Sequence, residues 1–134
     1  PHDIAVGFPL RDKSPQITSP RHIAYADPTQ GDNNGKAILG VVSAKPFAST
    51  QLLKDHVIGT FPLPKTDSGY TSQDEPFEYY WGFAWSREPL FGKPGYTPFH
   101  HADGTTDLNA WSDYLNMFAQ TADSPLRVTF ISKE

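Results

Sequence analysis

The chain contains no cysteine, little charge and no long apolar run, and each absence removes a class of explanation. Without cysteine there are no disulfides, no thiolate nucleophile and no Cys-ligated zinc or iron–sulfur centre. Charged residues make up 19% of the 134 residues, below the usual quarter, and the formal net charge is −4. No basic stripe is present, which argues against nucleic acid as a partner. The longest apolar runs are a few residues, too short for a transmembrane helix, so no membrane partner is expected. No signal-peptide pattern is read at Pro1-His2-Asp3. Also missing are a Gly-x-Ser-x-Gly elbow, a P-loop and a dinucleotide fingerprint, which leaves nucleophilic catalysis without support. Glu75, Glu78 and Glu88 are too dispersed to form a carboxylate pair.

What is present is aromatic and loop-rich. Aromatic residues reach 13% and prolines number 13. The apolar content is ample for one continuous core, and the length is that of a single globular domain spanning residues 1–134. Low charge, many prolines and many rings lean toward an extracytoplasmic protein.

Ile4, Val6, Phe8 and Leu10 alternate with smaller or polar residues, the period of a half-buried strand. A loop with Pro15 and Pro20 leads to a second strand over Arg21 to Asp27. The stretch from Gln30 to Gly35 is a dense turn signal. Ala37 to Ala44 is apolar on both faces, as a central strand covered on both sides would be. Ser49 or Thr50 is positioned to cap a short helix through about Ile58, with Leu52, Leu53 and Val57 inward and Gly59 as its stop. Residues 60–76 are Pro- and Ser/Thr-rich, with an edge strand expected near Phe61 and Leu63. Phe77 to Ser86 is the strongest strand signal. Phe77, Tyr79, Trp81, Phe83 and Trp85 share one face, and Glu78, Tyr80, Gly82, Ala84 and Ser86 share the other. Thr105, Thr106 or Asp107 caps an amphipathic helix with Leu108, Trp111, Leu115 and Phe118 in one stripe and Tyr114 beside it. A last strand is expected over residues 126–130.

These elements predict an α+β fold: a predominantly antiparallel sheet of about five to six strands with two helices. From residue 37 the order of strands and helices is that of a ferredoxin-like unit, preceded by two N-terminal strands.

Two features can carry function. In the aromatic strand, the simplest reading places the rings in the main core, with Trp111 and Phe118 packed on them. The functional reading has Trp81 and Trp85, joined by Tyr80 and Tyr96, lining a pocket or platform for a small apolar molecule, a sugar or a protein partner. Gly82 and Ala84 on the opposite face permit close approach to the backbone. The second feature is the loop holding His100, His101 and Asp103. Adjacent imidazoles beside a carboxylate suit acid–base work or a divalent metal such as Zn²⁺ or Fe²⁺, although none is required. The facial-triad spacing fails, since no further His follows His101. A turn followed by helix-capping Thr and Asp explains the same residues without chemistry. The long loops 60–76 and 87–106 flank the aromatic strand, which locates the region of interest. A binding domain ranks first, a small His/Asp enzyme second and an assembly subunit third, with homo-oligomerisation open.

Overall fold

The computed structural model describes residues 4–11, 14–27, 36–61, 65–66, 69–70, 78–85, 99–101 and 105–126, with 65–66 and 69–70 described by backbone alone. Its strands are β1 (Ile4–Pro9), β2 (Gln16–Thr18), β3 (His22–Asp27), β4 (Ala37–Ser43), β5 (Ser49–Leu52), β6 (His56–Phe61), β7 (Lys65–Thr66), β8 (Gly69–Tyr70) and β9 (Tyr79–Trp85). One helix is described, α1 (Leu108–Asp123). The described strands form a four-stranded sheet ordered β2-β3-β4-β9, a three-stranded sheet ordered β1-β6-β5, and a small β7-β8 hairpin. Every pairing is antiparallel.

The larger sheet is a middle layer. On one face Ala24, Ile38 and Val42 bury against Trp111, Leu115 and Ala119 of α1. On the other, Ile23 and Val41 bury against Phe47, Val57 and Phe61, with Val6, Phe8 and Leu10 packed around them. Phe8 also stacks on Tyr25, with ring centroids 5.9 Å apart. This double coverage explains why β3 and β4 are apolar on both faces. Each buried Val, Leu or Ile contributes about 1.5–3 kcal/mol, so both layers matter to stability.

The predicted single sheet with two helices is therefore corrected, among the described residues, to two antiparallel sheets of four and three strands, a small hairpin and one helix. The helix expected at residues 49–58 is instead the β5–β6 hairpin. Leu53 N–H donates to the His56 carbonyl at 2.7 Å, closing the turn at Lys54-Asp55. Val57, Gly59 and Phe61 face inward at strand period, while Leu52 and Leu53 are exposed. Thr50, Val57, Ile58 and Thr60 are β-branched and favour this outcome. Gly59 is not a helix stop. It lies under the Phe47 ring, and a Cβ there would sit 2.7 Å from a ring carbon. Since β6 pairs with β1, the N-terminal strand joins the smaller sheet and the ferredoxin-like order does not apply. The edge strand expected near Phe61 is partly the end of β6; Leu63 lies outside the described residues, as do residues 127–130 of the expected last strand. The strands read at the N-terminus, at 21–27 and at 37–44 are present, that read at 77–86 is β9, with Phe77 and Ser86 outside the described residues, and β4 is central as expected.

Helix α1 starts at Asp107, whose carboxylate accepts from Ala110 N–H at 3.0 Å and satisfies an otherwise orphan donor. Its position over the sheet is fixed by four contacts. Gly40 admits Leu115 so closely that a Cβ would lie 2.6 Å from its Cδ1. Trp111 Nε1–H donates to the Leu39 carbonyl at 2.9 Å. His22 Nε2 and Ser112 Oγ are 2.8 Å apart, and Arg21 pairs with Asp123 at 2.9 Å. All four draw the helix toward β3 and β4.

Candidate binding site

With α1 drawn toward β3 and β4, the inner face of β9 is left beside the helix instead of beneath it. That face carries Tyr80, Gly82 and Ala84. Gly82 is the register partner of Gly40, so two glycines lie side by side on neighbouring strands. Their surroundings differ completely: Gly40 is packed under Leu115, whereas a Cβ on Gly82 would meet nothing within 4 Å. The result is a cleft of about 330 Å³ between α1 and β9. Gly40, Val42, Gly82 and Ala84 form its floor, and Phe99, Trp111, Tyr114, Leu115 and Phe118 form its wall.

The wall is a connected set of rings. Phe99 meets Trp111 edge-on at 4.8 Å, and Trp111 stacks with Tyr114 at 5.5 Å. Tyr80 and Phe118 close one end in a T-shaped contact at 5.1 Å. Such offset and edge-to-face pairs hold each ring in place before anything binds. Phe99 is brought in by an unusual backbone, φ of +69°, the only positive value at a non-glycine residue among those described. Its carbonyl accepts from Asp107 N–H at 2.7 Å, and His101 N–H donates to the Thr105 carbonyl at 2.8 Å. The loop is thus tied to the start of α1. The Tyr80 hydroxyl donates to the Glu78 carboxylate, and that carboxylate raises the tyrosine pKa above its ordinary value. The phenol therefore stays neutral, and none of the described residues lining the cleft is charged.

Of the residues singled out in the sequence, Tyr80 faces the cleft and Trp81 and Trp85 border it, whereas Tyr96 lies outside the described residues. The aromatic face of β9 is turned away from α1, so Trp111 and Phe118 do not pack on it. Trp81 and Phe83 are open to solvent. His100 bridges to Thr106, with its Nε2 buried, and His101 is exposed. Asp103 is outside the described residues. Among those described, no three His, Asp or Glu residues converge to hold a metal ion. Nor is any described helix long and apolar enough to cross a membrane. His22 is a further buried imidazole, held between Ser19 Oγ at 2.7 Å from Nδ1 and Ser112 Oγ at Nε2. Burial lowers its pKa, partly opposed by the Asp113 carboxylate.

Phe99 is the wall residue that sequence reasoning missed, because its place in the wall depends on a positive φ that no local pattern signals. Tyr114 carried a visible signal: it lies beside the apolar stripe of α1, where a ring is half-buried. Comparison with protein-family models, with curated proteins and with solved structures finds no match for this chain.

Proposed function

We propose that this domain binds a small, flat, uncharged apolar molecule in the cleft between α1 and β9. The observation that carries this reading is the open floor at Gly82, beneath a wall of mutually braced rings. The volume falls within the range of small-molecule pockets, about 300–1,000 Å³. The rings supply dispersion and apolar contact, and the Tyr114 and Tyr80 hydroxyls stand nearby as the polar handles a mostly apolar pocket uses for orientation. No bond need be broken in this reading, since no base paired with a nucleophile stands among the described residues lining the cleft.

N-phenyl-1-naphthylamine, a neutral and flat fluorophore, is a suitable probe. Its emission should rise and saturate with the wild-type protein. Gly82→Leu fills the floor and should weaken binding by at least about tenfold, which is ~1.4 kcal/mol. Equal binding by a folded Gly82→Leu protein overturns the assignment.

A further inference from the structure

The outer face of β9 is a second surface with its own chemistry. Tyr79, Trp81, Phe83 and Trp85 project from it in one line, 46%, 70%, 60% and 40% exposed. Alternate residues of a strand are spaced by roughly 6.7 Å, so the rings form a straight ladder about 20 Å long. A hollow flanks each half of the ladder. One, of about 360 Å³, lies between Tyr79, Trp81, Val41 and strand β1. The other, of about 260 Å³, lies between Phe83, Trp85, Leu39, Ala37 and Asp27. Asp27 is the one charged residue among the described residues lining the two hollows.

We propose that this ladder is a binding platform for an extended, uncharged β-1,4-linked polysaccharide, with Trp81 and Phe83 as its central stacking residues. Two physical arguments select that occupant. The first concerns a second copy of the chain. A ring side chain offers roughly 150–250 Å², so the exposed part of the ladder amounts to about 325–540 Å² per copy. Two ladders face to face bury roughly 650–1,080 Å², below the about 1,200–2,000 Å² of a specific, stable interface. The second concerns linear polymers with flat rings. A nucleic acid or acidic glycan needs cations along its track, and the strand from Tyr79 to Trp85 has none. A neutral sugar chain places its C–H faces on the rings and keeps its hydroxyls in water at the rims. An open, solvent-facing ladder suits that amphipathic ligand better than a wholly apolar one.

The test is native electrophoresis through gels containing hydroxyethylcellulose, with gels lacking it as reference. Wild-type protein should be retarded, and Trp81→Ala and Phe83→Ala should each lose at least about tenfold in affinity. Both side chains are largely solvated, so unchanged thermal midpoints are expected and confirm that folding is intact. Gly82→Leu points into the cleft and should keep full retardation, while Tyr79→Ala, on the ladder and outside the cleft lining, should weaken retardation and keep N-phenyl-1-naphthylamine binding, so the two sites fail separately. Absence of retardation, or retardation unchanged in both ladder variants, overturns the proposal. So does sedimentation showing a wild-type dimer that Trp81→Ala dissociates, which would assign the face to a second copy.

Discussion

The two faces of β9 differ in a way that reverses a familiar expectation about where large apolar side chains go. The face carrying Tyr79, Trp81, Phe83 and Trp85 is the more hydrophobic, yet it is the one turned to solvent. The face carrying Gly82 and Ala84 is the one turned toward the helix. Hydrophobicity alone does not choose between them, because a helix needs room for its own side chains. Gly40 on β4 shows the requirement met: Leu115 descends onto a bare backbone. Small residues on that face are what allow α1 to approach, and the rings take the side where nothing needs to fit beneath them. The burial rule runs in one direction only, and exposed rings are informative where they cluster.

The comparison is sharpest between two tryptophans. Trp111 is 4% exposed, donates to the Leu39 carbonyl and touches two other rings. Trp111→Ala should cost about 3–5 kcal/mol, the range for removing a large aromatic from a core. Trp81→Ala should stay within about 0.5 kcal/mol. Urea unfolding at neutral pH measures both. Equal losses would mean that the ladder is a core element, and the proposed platform would fall with that result.

The paired glycines give a smaller and cleaner contrast. Gly40→Ala places a methyl group against the buried Leu115 side chain and the Trp111 indole nitrogen, and should cost about 1–3 kcal/mol. Gly82→Ala, one strand away at the same register, should be neutral within about 0.5 kcal/mol or slightly stabilising, since Ala restricts the unfolded chain more than Gly does. Comparable destabilisation at both positions would show α1 lying over β9 as it lies over β4. The cleft would then not exist.

Much of this arrangement was legible in the sequence, and the exceptions have specific causes. The alternation in 77–86 separated the two faces of β9, but only the pairing of Gly82 with Gly40 tells which one lies near the helix. That pairing is a long-range fact that no local pattern encodes. In 49–61, two readings competed. Leu52, Leu53 and Val57 mimic one stripe of a short helix, while Val57, Gly59 and Phe61 alternate as a strand. A segment this short does not distinguish the periods, and packing against Phe47 and β1 decided the outcome. Strand β2 is three residues between two prolines, created by pairing with β3 and extended by Ala26 N–H donating to the Pro15 carbonyl at 3.0 Å. Ile17 and Thr18 favour a strand, but three residues are too few to show its period. For the cleft, Tyr80 and Gly82 were visible as candidates, whereas Phe99 depends on a positive φ that a sequence pattern does not reveal.

The subtlest test concerns what holds α1 to its side of the sheet. His22 is buried between Ser19 and Ser112, and burial disfavours its charged form, so its folded-state pKa lies below the 6.5 of the unfolded chain. The Asp113 carboxylate opposes this only in part. A depressed histidine pKa means that the unfolded state binds the proton more readily. The stabilising contribution is therefore fully present above pH 6.5 and is lost as pH falls from there through the folded-state value. Urea midpoints should be level from pH 8 to 7 and decline below about 6.5. His22→Gln keeps a polar side chain at this position and removes the titration. In that variant the decline between pH 6.5 and 5 should become shallower. An identical decline in both proteins would remove His22 from the lock. The helix would then be held on β3 and β4 chiefly by Gly40, Trp111 and the apolar layer beneath them.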